Sequence, residues 1–130
     1  MKIAVAATFS LMLTLLSTLA LSTEIPFDQA QFDATRAAGK PVAVVFHADW
    51  CPTCRAQAPV LKELAQTPEL RLVTLYVANF DTEKTLKKSL GVAKQSTIVV
   101  FKNGQEIARS TGDTQQDSLA ALLRHAISRP

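Results

Sequence analysis

Pro41-Val42-Ala43-Val44-Val45-Phe46-His47-Ala48-Asp49-Trp50-Cys51-Pro52-Thr53-Cys54 decides the fold and holds both cysteines of the chain. The first seven residues are almost continuously apolar and rich in β-branched side chains. That pattern predicts a central strand covered on both faces, because an edge or one-sided strand would alternate apolar with polar. From Pro52 to about Gln66 the period changes. Ala56, Val60, Leu61 and Leu64 fall on one helical face while Arg55, Lys62, Glu63 and Gln66 fall elsewhere, so a helix is expected, with Pro59 kinking it. The two cysteines therefore stand where a buried strand gives way to a helix.

Outward from this junction, further elements follow. Asp28 is placed to cap a helix, Gln31 to return the bond at the third helical position, and Phe27 and Phe32 to staple its entry; Gly39 ends it. A short strand near Glu24 to Phe27 precedes it. Leu70 to Val77 reads as a second core strand, and Asp81 as the cap of a helix that runs to Leu90 and stops at Gly91. Thr97 to Lys102 and Glu106 to Thr111 flank Asn103-Gly104, a strong hairpin signal. A last helix beginning near Asp113 puts Leu119, Leu122, Leu123, Ala126 and Ile127 on one face, with His125 toward solvent. This order predicts an α/β fold: a central mixed β-sheet with helices on both faces.

The chain has 130 residues, 48% of them hydrophobic and 19% charged, which suits one domain. Residues 1–22 read as a signal peptide: Lys2 is followed by an uncharged run from Ile3 to Ser22, and Ala20-Leu21-Ser22 offers small residues at a cleavage site. An uncleaved anchor is the competing reading, although Thr8, Ser10, Thr14, Ser17 and Thr18 dilute the apolarity. Residues 23–130 then form the folded domain in an extracytoplasmic space, with the periplasm as the expected location. The formal charge is only +3 and the basic residues are scattered, so nothing supports nucleic-acid binding. Lys84, Lys87 and Lys88 read as an exposed helix face.

Two cysteines separated by two residues make a poor structural staple, since so short a loop removes little unfolded-state entropy. Their place favours reactivity. With Cys51 as the N-cap and Pro52 at the first helical position, the Thr53 and Cys54 amides can point at the Cys51 sulfur, and the helix N-terminus favours its thiolate. Cys51 is thus the candidate nucleophile and Cys54, one turn along and more buried, the resolving thiol. Thr53 adds a hydroxyl without charge. A pair of small core side chains is the bland alternative.

Ala48-Asp49-Trp50-Cys51-Pro52-Thr53-Cys54, Pro59 in the following helix and Phe101-Lys102-Asn103-Gly104 at the hairpin resemble the thioredoxin family across the whole mature chain. The Ala-Asp-Trp-Cys run is also similar to the C-terminal thioredoxin domain of DsbD. The resemblance implies the thioredoxin fold and a redox-active Cys51–Cys54 disulfide, with Trp50 and Pro52 shaping the site. It departs from the family at three places. The family's cis-proline aligns with Ser96, and because a cis bond before a non-proline residue costs about 3–4 kcal/mol, the Gln95–Ser96 bond is expected to be trans. Gln95 would then meet substrate backbone in altered geometry. The family's buried aspartate aligns with Val45 and its lysine partner with Tyr76, leaving no carboxylate beneath Cys54. His47 stands where an aromatic is frequent, and is either a proton acceptor for the thiols or, as preferred, a strand-end side chain bonded to backbone.

The expected function is an exported thiol–disulfide oxidoreductase that reduces protein disulfides as a monomer, without cofactor or metal, and draws electrons from a DsbD- or CcdA-like membrane donor. Three alternatives stand beside it: a disulfide-forming oxidase, a copper-binding module using the two thiolates and His47, and a peptide-binding domain with vestigial chemistry.

Overall fold

The structure is a computed structural model that describes residues 24–129; the predicted signal segment and its cleavage site lie outside the described residues. β1 (Glu24–Pro26), α1 (Gln29–Ala37), β2 (Val42–His47), α2 (Pro52–Ala65), β3 (Thr74–Asn79), α3 (Lys84–Leu90), β4 (Thr97–Lys102), β5 (Gln105–Thr111) and α4 (Gln116–Arg124) follow in order. They build one five-stranded sheet in the order β1-β3-β2-β4-β5. The first three strands are parallel, and β4 and β5 are antiparallel additions.

Alternation along the strands divides the apolar side chains between two cores. Ala43, Val45, Leu75, Ile98 and Val100 pack with Leu61 and Leu64 of α2 and with Leu119 and Leu123 of α4. Val42, Val44, Phe46, Tyr76, Val99 and Phe101 pack with Phe32 of α1 and Leu86 of α3 on the other face. β2 is apolar on both sides because both sides are covered, which is why it reads as an unbroken run. Among the described residues no helix is long and apolar enough to cross a membrane.

Local signals act largely as expected. The Gln31 amide donates to Asp28 Oδ1 at 2.9 Å, and the Phe27 and Phe32 rings meet with centroids 5.5 Å apart. Asn103 (φ 50°) and Gly104 (φ 78°) both adopt the left-handed conformation of a tight hairpin turn. Gly91 closes α3 at φ 63°.

Three expectations need correction. The second core strand starts at Thr74, not Leu70, because Leu70–Leu72 form a single 3₁₀ turn whose Leu70 is driven into the core. Asp81 does not cap α3, whose N-cap is Glu83 with no side-chain hydrogen bond; the Asp81 carboxylate instead takes a hydrogen bond from Trp50. In α2 the buried face runs through Cys54, Gln57, Leu61, Leu64 and Ala65, whereas Ala56 is exposed.

Candidate active site

β2 ends at His47, and a short turn, closed by the Cys51 amide donating to the Ala48 carbonyl at 3.1 Å, delivers the chain into α2. Cys51 is the N-cap. Its extended backbone (φ −86°, ψ 116°) aims the side chain back over the first turn, and Pro52 fills the first helical position. The Cys54 amide donates to Cys51 Sγ at 3.2 Å. A helix whose cap accepts through sulfur holds negative charge on that sulfur better than in water, since the donor is fixed and the helix N-terminus is positive.

Both cysteines are free thiols, with 3% and 1% of their surface exposed. They pack with Ala48 and the partly buried Phe80. Burial would push the Cys51 thiol up. Against it act the hydrogen bonds from Cys54 and Ser96 and the Cys54 and Thr53 amides, and the balance lowers the Cys51 pKa below that of a free thiol. For Cys54 burial comes first, the Cys51 partner adds to it, and the pKa is raised. One pair of neighbouring thiols is thus split by its surroundings into an ionisable member and a protonated one.

Ser96 completes the centre. It enters from the segment before β4, is 1% exposed, and places its hydroxyl 3.0 Å from Cys54 Sγ and 3.5 Å from Cys51 Sγ. A recess of about 190 Å³ lined by Cys51, Thr53, Lys94, Gln95, Ser96, Thr111 and Gly112 opens beside the sulfurs. Trp50 stands at the rim, 58% exposed, with its indole N–H donating to Asp81 Oδ2 at 2.8 Å.

The sequence matches the thioredoxin family over residues 23–125. The chain belongs to the thioredoxin family. It is a thiol–disulfide oxidoreductase of that family, with Cys51 and Cys54 as its C-x-x-C pair. A thioredoxin from Chlamydia muridarum is 38% identical over 82 residues, which make up 63% of this chain and 78% of that one. Another, from Malassezia sympodialis, is 30% identical over 96 residues, 74% of this chain and 91% of that one. Among solved structures, Trxlp from Edwardsiella tarda superposes with a TM-score of 0.75 at 38% identity, covering 77% of this chain and 97% of that one.

The departures from the family have definite geometry here. Among the described residues no peptide bond is cis, so Gln95–Ser96 is trans as expected, and Ser96 takes φ 60°. That conformation costs a non-glycine residue about 1–2 kcal/mol, and three hydrogen bonds hold it. The Ser96 amide donates to the Phe46 carbonyl at 2.8 Å, and the Ser96 carbonyl accepts from the Gly112 amide at 3.0 Å and from Gln57 Nε2 at 3.3 Å.

Val45 faces Val77 across the sheet, not Tyr76 as the alignment proposed. Tyr76 lies in the opposite core, its hydroxyl 2.8 Å from Thr35 Oγ1. Neither strand therefore carries a carboxylate at this register, and Cys54 itself packs with Cys51, Ala48 and Phe80.

His47 turns to Asp49, with Nε2 2.9 Å from Oδ1, so its partner is a carboxylate and not the backbone expected. Among the described residues no three His, Cys, Asp or Glu side chains form a group able to hold a metal, and His47 does not join the thiols as a third ligand. Lys87, expected on a solvated face, sits with Nζ 3.8 Å from the centre of the Phe80 ring.

Gln57 is the site residue that sequence reasoning missed. It is 1% exposed, and its amide also donates to the Asp113 carbonyl at 2.7 Å. Hydrophobicity pointed to Ala56. The helical phase counted from Cys54, which puts the third residue on the same face, would have found Gln57.

Proposed function

We propose that this protein is an exported member of its family that reduces disulfides in other extracytoplasmic proteins, with Cys51 as nucleophile and Cys54 as resolving thiol. The observation that carries the roles is the asymmetry of the pair: Cys51 sits at the helix cap with donors on its sulfur, while Cys54 is buried with its pKa raised. The Cys51 thiolate attacks one sulfur of a substrate disulfide, whose other sulfur leaves with the electron pair and takes a proton from water. Cys54 then attacks Cys51, loses its proton to water, and releases the substrate as a thiol while the Cys51–Cys54 disulfide forms.

Two features support the reducing direction. Among the described residues there is no helical insertion between the strands of the kind DsbA-like oxidases have, and the burial of Cys54 keeps that thiol protonated and poised to be consumed last. Export is supported by the apolar N-terminal run and the small residues ahead of Thr23. Such a reductant needs electrons from the other side of a membrane, so its donor is a membrane protein of the DsbD or CcdA type, and it works as a monomer. The chain enters the sheet at Glu24, which pairs with Leu75 at the end of β3 remote from the cysteines. An N-terminal attachment would leave the thiols facing away from the bilayer.

Equilibration of the full chain with glutathione tests the direction. A potential near −270 mV, as in thioredoxin, is expected, and one near −120 mV, as in DsbA, would make the protein an oxidase. A Cys54→Ala variant expressed in its own host should accumulate a mixed disulfide through Cys51 with exported proteins. Cytoplasmic partners alone would overturn the location.

A further inference from the structure

We propose that the Ser96 hydroxyl is a catalytic donor shared by the two sulfurs, holding negative charge on Cys51 during attack and passing to Cys54 during resolution. The proposal rests on the dithiol reading of the site and adds a third reacting-centre residue to it.

Ser96 Oγ is buried within hydrogen-bonding range of both sulfurs, and these are its side-chain hydrogen-bond partners among the described residues. Its backbone is fixed from three sides, by the Phe46 carbonyl, the Gly112 amide and the Gln57 amide, so its Cβ is held over the cysteine pair. The strained φ of 60° is what brings that Cβ there. A proline at this position, as the family carries, presents only ring carbon to the sulfurs; serine presents a rotatable O–H. Serine has no second branch at Cβ, so the hydroxyl turns without moving the chain.

A hydroxyl has one proton to donate, and this one has two candidate acceptors. In the reduced protein Ser96 Oγ lies 3.0 Å from Cys54 Sγ and 3.5 Å from Cys51 Sγ; while Cys54 keeps its own proton, the Ser96 proton is available to the Cys51 thiolate. Once Cys51 is joined to a substrate sulfur it carries no charge and is a weak acceptor. Cys54 must now ionise in a buried pocket that it shares with Ala48 and Phe80. Its proton leaves to water, the Ser96 O–H rotates to the new thiolate at the shorter of the two distances, and Cys54 attacks Cys51. The Cys51–substrate bond breaks, and the departing substrate sulfur takes a proton from water. One donor thus follows the charge from the first sulfur to the second, in place of the carboxylate that this chain lacks.

The test compares wild type with Ser96→Gly and Ser96→Ala in reaction with an aromatic disulfide whose released thiolate absorbs visible light. The first equivalent released reports attack by Cys51, and the second reports resolution by Cys54. Alkylation of Cys51 against pH, followed by peptide mass, reports its ionisation. Glycine accepts φ 60° without strain, so Ser96→Gly remains folded even where Ser96→Ala does not. Losing a hydrogen bond to a charged sulfur, partly offset by the greater nucleophilicity of a more basic thiolate, slows both phases about four- to tenfold at neutral pH. The Cys51 alkylation profile moves to higher pH in both variants. Folded variants with unchanged phases and profile would remove the hydroxyl from the mechanism while leaving the dithiol reading intact. Loss of the first phase alone would overturn the hand-over to Cys54. A wild-type protein that releases only one equivalent would overturn the dithiol reading itself, and the proposal with it.

Discussion

Gln57→Met removes the amide that ties α2 to two loops while keeping an unbranched side chain of similar length in the same buried slot. In the native protein that amide donates to the Asp113 carbonyl at 2.7 Å and to the Ser96 carbonyl at 3.3 Å. The Ser96 carbonyl keeps a second donor in the Gly112 amide. The Asp113 carbonyl is left without its short bond, in a partly buried position, and an unsatisfied acceptor of this kind costs about 1–3 kcal/mol. With a urea m-value of about 1–1.5 kcal/mol/M for a domain of this size, the unfolding midpoint falls by about 0.7–3 M. Urea titration followed by far-ultraviolet circular dichroism measures it, and hydrogen exchange of the Gly112 amide should accelerate as its acceptor loosens. A midpoint within about 0.3 M of wild type at equal m-value, with Gly112 protection unchanged, would refute the view that Gln57 clamps the Ser96 segment.

Leu61→Ala deletes a side chain that is 1% exposed between α2 and the sheet, and should cost about 2–5 kcal/mol in the same titration; a smaller loss would mean that the core closes over the gap. Asp81→Ala frees the Trp50 indole, so the tryptophan emission maximum should move toward that of indole in water, with a stability loss of at most about 1 kcal/mol because the pair is exposed. An unchanged emission spectrum would show that the Trp50–Asp81 bond does not persist in solution. The lowered pKa of Cys51 stabilises the folded state above the ordinary thiol pKa, and that contribution is lost as pH falls through the lowered folded value. The reduced Cys51→Ala variant should therefore fall short of wild type by more at alkaline than at acid pH, and a pH-independent gap would contradict the assigned direction.

What could be read from the sequence was whatever one residue type dictates locally. The β-branched run of β2, the Asp28 cap, the Asn103-Gly104 turn and the cap position of Cys51 each follow from the physics of a few neighbouring residues, and each appears where expected. The errors share another cause, because they depend on what lies across the fold. Asp81 is a good cap by type, but Trp50 is within its reach and takes its carboxylate. Gln57 is polar and yet buried, because two carbonyls from distant loops converge on its amide. Leu70 looks like the start of a strand, and a 3₁₀ turn buries it instead. The register that faces Val45 with Val77 is also a property of the assembled sheet, where a shift of one residue reverses the face. Ser96 could be singled out in the sequence as a departure, but the contact of its hydroxyl with both sulfurs needed the left-handed backbone, which no neighbouring residue announces.

Alkylation of the reduced wild-type protein across pH, with Cys51 and Cys54 quantified separately by peptide mass, bears most directly on the central claim that the helix cap holds charge on one sulfur and not on the other. Cys51 should react with a midpoint below that of a free cysteine, near 8.5, and Cys54 with a midpoint above it. A Cys51 midpoint at or above the free-thiol value, or Cys54 ionising first, would contradict the account.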